Sequence, residues 1–203
     1  MSSTNQTSRK LSAKHNQLLN TARNLIARHG VRRVTVEEIC RKAGVSKMTF
    51  YKYYPNKHAI VGKILDDLVE LGKQKFTEIT SRNIPFEAKV RLLIQLKMEE
   101  SARFSEDFLE ELLRTDARLS DNFWRKAVDN EKITLDFFRK AREKGELRRD
   151  LNLDFLQYML EHLQNLVKDP NLQQIIPSNL DLIRELINFW FYGILPPTGE
   201  PSR

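Results

Sequence analysis

Apolar residues in this chain recur at three- and four-residue intervals along its length, and no stretch alternates convincingly as a strand would. From Ser12, the positions Leu18, Ala22, Leu25, Ile26 and His29 make one helical stripe. Gly30 ends that helix, because glycine enters the left-handed conformation of a helix end without strain. Thr35 then reads as the N-cap of a second, short helix, with Glu38 completing a capping box and Ile39, Cys40 and Ala43 as its apolar side. Gly44 breaks it, Ser46 caps a third helix from Lys47 to about Tyr53, and Pro55 stops that one. Asn56 opens a fourth helix, with Ile60, Ile64, Leu65, Leu68 and Leu71 as its core stripe.

The pattern resumes after Pro85 with Val90, Leu93 and Ile94 and runs to about Arg103, followed by a short helix around Glu106–Arg114. One long helix is expected from Asp121 to Lys144, with Lys140, Arg142 and Lys144 in its last turn and Gly145 beyond, as helix C-termini prefer. Asp154–Lys168 and Asn179–Tyr192 are two more helices, with a loop from Asp169 to Pro177 between them. The fold class is all-α.

The composition, 30% charged and 40% hydrophobic over 203 residues, is that of a soluble globular protein. Cys40 is the single cysteine, so no intramolecular disulfide forms and a reducing compartment is expected. The polar start carries no secretory signal, and the most apolar run, Leu186–Leu195, is about half the ~20 residues of a membrane span. A cytoplasmic protein with no membrane association follows. The net charge of +7 is unevenly placed. Residues 1–60 hold 12 Lys and Arg against 2 Asp and Glu, a net +10; residues 61–203 hold 22 against 25, a net −3. A basic head on a near-neutral body suits an anionic polymer, although charge alone also fits a basic segment with no partner.

The chemistry lies in the run TVEEICRKAGVSKMTFYKYYPNK, Thr35–Lys57. It reads as helix, tight turn at Gly44, second short helix: the helix-turn-helix plan. Val45 packs between the helices, and Phe50 and Tyr54, four apart, point inward. Lys47, Met48, Thr49, Tyr51, Lys52 and Tyr53 are left mostly outward, where they make poor core and good DNA contacts. Lysine suits phosphate or guanine, the tyrosine hydroxyl suits phosphate, and Thr or Met suits a thymine methyl.

This run resembles the DNA-binding domain of the tetracycline-repressor (TetR) family. Thr35, Ile39, Ala43, Gly44, Val45, Ser46, Phe50, Tyr51, Tyr54 and Lys57 fit its pattern in register. The resemblance covers about residues 12–65 as motif and the rest by length and helix pattern only. It implies a homodimer of about nine helices per chain, with a three-helix DNA-binding domain and a C-terminal helical domain that holds a small-molecule pocket and the dimer interface. It implies phosphate contacts from Thr35, Tyr51 and Lys57, and base or nearby backbone contacts from Lys47, Met48, Lys52 and Tyr53. Arg33, Ser46 and Thr49 complete the expected DNA-binding set. Met48 departs from the family, which most often has glycine there; methionine either holds the helix off the DNA or meets a thymine methyl.

The expected organisation is a disordered basic tail at 1–10, a helix-turn-helix domain at 11–58, a helical regulatory and dimerisation domain at 59–195 and a frayed tail at 196–203. The expected dimer face is Phe155, Met159, His162, Leu163, Leu182, Leu186, Phe189 and Trp190, on two helices with more apolar surface than one core face uses. A monomer core is the alternative. Arg9, Lys10 and Lys14 are either a DNA-following arm or a solvated tail. Glu106, Asp107, Glu110 and Glu111 are either an acidic pocket or a solvated face. No phosphate loop, nucleophile elbow or metal-ligand spacing is present, so neither an enzyme nor a metal or cofactor site is expected. The function expected is a dimeric repressor that binds a palindromic operator in double-stranded DNA and is released by a small-molecule effector. The alternative is a helical protein that binds DNA non-specifically.

Overall fold

The computed structural model describes the backbone of residues 2–129, 131–147 and 150–194, and the side chains of residues 13–126, 132–147, 150–159, 161–162 and 165–189. Among these residues every regular element is helical: α1 (Ser2–Arg33), α2 (Val36–Lys42), α3 (Lys47–Tyr53), α4 (Lys57–Ser81), α5 (Phe86–Ser101), α6 (Glu106–Glu110), a π turn (Glu111–Thr115), α7 (Ala117–Asp129), α8 (Glu131–Glu143), α9 (Leu153–Lys168), α10 (Pro170–Ile175) and α11 (Asn179–Ile194).

The N-terminal helices start and stop for local reasons. Thr35 Oγ1 accepts the Glu38 N–H (3.1 Å), Ser46 Oγ accepts the Thr49 N–H (3.1 Å), and Asn56 Oδ1 accepts the Ala59 N–H (3.0 Å). Each satisfies an N–H that the first turn leaves without a partner. Gly44, at φ 61, makes the turn between α2 and α3. Glu38 does not close the expected capping box with its carboxylate, which lies 3.6 Å from Lys42 Nζ instead.

Several elements differ from expectation. The backbone is helical from Ser2, where a disordered tail was expected over 1–10. Extending a formed helix fixes one residue per hydrogen bond and escapes the nucleation cost. The span expected as one helix from Asp121 to Lys144 is covered by α7 and α8, with Asn130 between them outside the described residues. It also begins earlier, because Asp116 Oδ1 accepts the N–H groups of Arg118 (3.1 Å) and Leu119 (3.2 Å). The loop expected at Asp169–Pro177 contains α10. Asp169 caps it and Pro170 opens it, where a fixed φ and a missing N–H cost nothing. The helix expected at Glu106–Arg114 changes at Glu111 from α to π hydrogen bonding. The tail at 196–203 lies outside the described residues.

One apolar cluster unites Leu18, Ala22, Leu25 and Ile26 of α1 with Ile39 and Cys40 of α2, Phe50 of α3, and Ile60, Ile64 and Leu65 of α4. Phe108, Leu112 and Leu119 join it from the following helices, so the expected boundary at 58/59 falls inside α4 and the two parts share core. The rest of the chain has two smaller clusters. One joins Phe86 and Val90 to Phe138, Ala141 and Leu156; the other joins Leu109 and Leu113 to Val167 and Leu182.

Candidate nucleic-acid interface

The geometry of α3 follows from three residues. Ser46 fixes its first turn and also lies 2.9 Å from the Thr49 hydroxyl. Phe50, with no exposed surface, anchors the middle of the helix. Tyr54 is buried just past its end, where its hydroxyl hydrogen-bonds His15 Nε2 at 2.8 Å and ties the helix to α1. Desolvation raises the Tyr54 pKa above the ordinary value of 10.0, so the phenol stays protonated.

These anchors leave one face outward. Met48 is 83% exposed, and Lys47, Tyr51 and Lys52 are exposed with it. Arg33, Thr35 and Ser46 lie exposed before and between the helices, while Thr49 is half-buried. Thr35 Oγ1 accepts the cap bond, which leaves its O–H able to donate outward. Ser46 uses its oxygen to cap, so its first effect is on the position of α3.

Besides the capping residues Thr35 and Ser46 and the bonded Thr49, three more of the expected DNA-binding residues have partners within the chain. The Lys47 ammonium is paired with Glu37 of α2. The Glu37 side-chain hydrogen bond raises the Lys47 pKa, and the Lys47 hydrogen bond lowers that of Glu37. Both groups are solvent-exposed, so the pair is weakly held. Tyr53, expected outward, is half-buried against the head's core, with its ring 4.9 Å from that of His15. Lys57 Nζ donates to the carbonyls of Val31 (2.7 Å) and Val34 (3.0 Å). It clamps the α1–α2 turn, and one ammonium proton remains for a phosphate.

The expected dimer face is partly exposed. Phe189 is 73% exposed and Phe155 is also exposed, with Met159, His162 and Leu186 half-buried. Leu182 is a correction. At 1% exposure it belongs to the core with Leu109, Leu113 and Val167, because its helix face turns toward α6 and the π turn. The side chains of Leu163 and Trp190 lie outside the described residues. Tyr158 and Leu166 extend the exposed apolar surface of α9 beyond the residues expected from sequence, and the His162 ring stacks on Tyr158 at 4.0 Å.

The acids of α6 form neither a pocket nor a plain solvated face. Glu106 accepts from the Ser178 hydroxyl (2.9 Å) and from the N–H groups of Asn179 (3.0 Å) and Leu180 (3.2 Å), capping α11. Burial alone would raise its pKa; these hydrogen bonds outweigh it and bring the pKa below the ordinary 4.5. Glu110 accepts from Asn179 Nδ2 at 3.0 Å and lies near Arg114. Glu111, on the other side, caps the last helical turn of α1 past Gly30. Sequence spacing could not reveal these roles, because the partners lie 69 to 80 residues away.

A recess of about 430 Å3 between α4 and α7 is lined by Lys63, Asp66, Asp67, Val69, Glu70, Lys73 and Lys126. Its charged lining is unlike the mostly apolar walls of small-molecule sites. No group of three or more His, Cys, Asp or Glu among the described residues could hold a metal ion, and no described helix is long and apolar enough to cross a membrane.

A basic head with a capped, outward-facing second helix on a helical body defines a helix-turn-helix protein. Residues 18–64 match the profile of the bacterial regulatory proteins, tetR family, and the N-terminal domain of this chain is a domain of that family. Over 52 residues the chain is 36% identical to the HTH-type transcriptional regulator EthR of Mycobacterium tuberculosis, a match covering 26% of this chain and 24% of that protein. The chain thus matches about a quarter of the length of that relative. The whole fold is similar to Escherichia coli NemR in its reduced form, at a TM-score of 0.67 and 16% identity over 93% of this chain and 100% of that one. It is also similar to the transcriptional regulator FadR of Bacillus subtilis, solved in complex with stearoyl-CoA, at a TM-score of 0.62 and 17% identity over 89% and 99%.

Proposed function

We propose that this chain is a homodimeric transcriptional repressor of the cytoplasm that reads a palindromic operator in duplex DNA through α3 and is released by a small-molecule effector. The observation that carries the reading is the two-sided build of α3. Phe50 is sunk in the core of a domain carrying +10, while Lys47, Met48, Tyr51 and Lys52 stand outward on a helix fixed at both ends. Lys52 and Tyr51 supply phosphate contacts, Lys47 reaches a phosphate or a guanine edge after leaving Glu37, and Met48 meets a thymine methyl. Thr35, Arg33 and the free proton of Lys57 add backbone contacts at the entry to the motif.

Dimerisation is supported by Phe155, Tyr158 and Phe189, whose large apolar side chains stand in solvent on α9 and α11 of a single chain. Two such helices from each protomer form a four-helix interface, and its two-fold axis is the reason for a palindromic operator. The effector reading is supported by the complex of the similarly folded FadR of Bacillus subtilis with stearoyl-CoA.

The test is selection of random duplex DNA on the purified full chain at near-physiological salt. A palindromic consensus is expected. Enrichment of nothing beyond bulk DNA, with affinity that collapses steeply as salt rises, would replace this reading with non-specific binding.

A further inference from the structure

The turn between α1 and α2 is held from two sides by residues far away in sequence. Gly30 leaves the helix at φ 75, ψ 167, after which Val31–Arg33 make one further helical turn. Past that break the N–H groups of Val31 and Arg32 are a new helix start without partners of their own. Both donate to the Glu111 carboxylate, Arg32 at 3.1 Å and Val31 more closely. The carbonyls of the same segment, Val31 and Val34, accept from Lys57 at the first residue of α4. The Arg32 guanidinium returns to the Thr115 carbonyl at 3.0 Å, at the far end of the π turn that carries Glu111.

Three features mark Glu111 out from the other acids. It is 6% exposed, and it is the only buried acidic residue among the described residues. A Cβ at position 30 would stand 2.9 and 3.1 Å from its two oxygens, so the glycine makes room for the carboxylate as well as for the turn. The carboxylate also springs from a π turn, a rare local geometry with an ordinary α-helical register as its near alternative. A change between those registers would rotate Glu111 about the helix axis and withdraw its oxygens from the turn.

We propose that Glu111 is the positioning residue of the DNA-reading head: a carboxylate of the regulatory domain that caps the α1–α2 turn, sets the angle at which α2 and α3 are presented, and loosens the head when it withdraws. Thr35, the N-cap of α2, begins one residue after Val34, so freedom in the turn passes directly into the helix-turn-helix. The proposal rests on the reading of residues 1–60 as the DNA-reading head and adds the contact through which the rest of the chain governs it.

The test compares the full-length parent with Glu111→Gln, Glu111→Asp and the control Glu106→Gln, which removes the charge that caps α11. The glutamine can accept one of the two N–H groups and turns a donor toward the other. Hydrogen exchange at the Val31 and Arg32 amides is expected to accelerate about tenfold in Glu111→Gln, less in Glu111→Asp, and not in Glu106→Gln. Affinity of Glu111→Gln for the duplex selected by the parent is expected to fall about tenfold, while core amides of Ile26 and Ile60 keep their protection. Unchanged exchange at Val31 and Arg32 overturns the cap. Faster exchange with unchanged DNA affinity, or faster exchange spread equally over the core amides, reduces Glu111 to a stabilising residue and overturns the proposal. If the parent selects no duplex, the regulator reading fails, and the cap is still decided by the amides.

Discussion

The N-terminal head and the helices that follow it are built from the same kind of amphipathic helix, yet they are held together differently. In the head, one apolar cluster runs from Leu18 to Leu65 and takes in Phe108, Leu112 and Leu119 from beyond it, and each of α2, α3 and α4 is capped by a side chain three residues before the N–H it serves. In the helices that follow, the described residues add two smaller clusters; Ser105 and Asn152 cap α6 and α9 locally, while α11 is capped from a distance by Glu106 of α6. The head is therefore capped mostly by its own residues, with Glu111 at the α1–α2 turn contributed from beyond it. The following helices combine local caps with a distant one on α11 and divide their core, which gives them more ways to repack; the proposed effector response needs such freedom.

The two regions should respond most differently at their anchors. Phe50→Ala removes the fully buried ring under α3 and should cost about 3–5 kcal/mol, melting the head and abolishing DNA binding in calorimetry and binding assays. Phe189→Ala, on the exposed face of α11, should change the stability of the isolated chain by less than about 0.5 kcal/mol while weakening self-association in sedimentation equilibrium. Gly30→Ala forces a side chain into a backbone conformation that glycine almost alone adopts and against Glu111, for a cost of about 1–3 kcal/mol in urea denaturation. Ser46→Ala loses the cap of α3 and should cost about 1 kcal/mol together with a measurable fall in DNA affinity.

Smaller effects sharpen the contrast between local and distant control. The folded-state pKa of Glu106 lies below 4.5, so its stabilising contribution is present above that pH and is lost as pH falls through the folded value. Glu106→Gln should therefore be less stable than the parent at pH 7, and the gap should close in acid below pH 4.5. Glu37→Gln removes the exposed carboxylate that competes with DNA for Lys47, and should raise DNA affinity about two- to threefold in a titration at low salt.

The helix-turn-helix was legible because its signals are short. Thr35, Gly44, Ser46, Phe50 and Asn56 each act within a few residues, and the structure gives each the cap, turn or anchor expected of it. Lys57 was legible as a cation near the motif, but its two carbonyl partners, 26 and 23 residues earlier, were not. Glu106 and Glu111 read as a run of like charges because their partners are brought close only by the fold. Asp169–Pro177 read as a loop, although a capped proline also starts a helix, and the distinction depends on the Asp169 side chain. Leu182 read as interface because periodicity shows how many faces are apolar without showing what covers each one.

Sequence discrimination by the head is what separates a regulator from a protein that holds DNA by charge. The most direct measurement is the ratio of affinities for the selected duplex and for an unrelated duplex of equal length, taken at near-physiological salt. A ratio of about 10³ or more is expected, largely kept when Lys52 is replaced by Ala and reduced when Lys47 or Met48 is replaced. A ratio near one would contradict it, leaving a helix-turn-helix fold that holds DNA by charge alone.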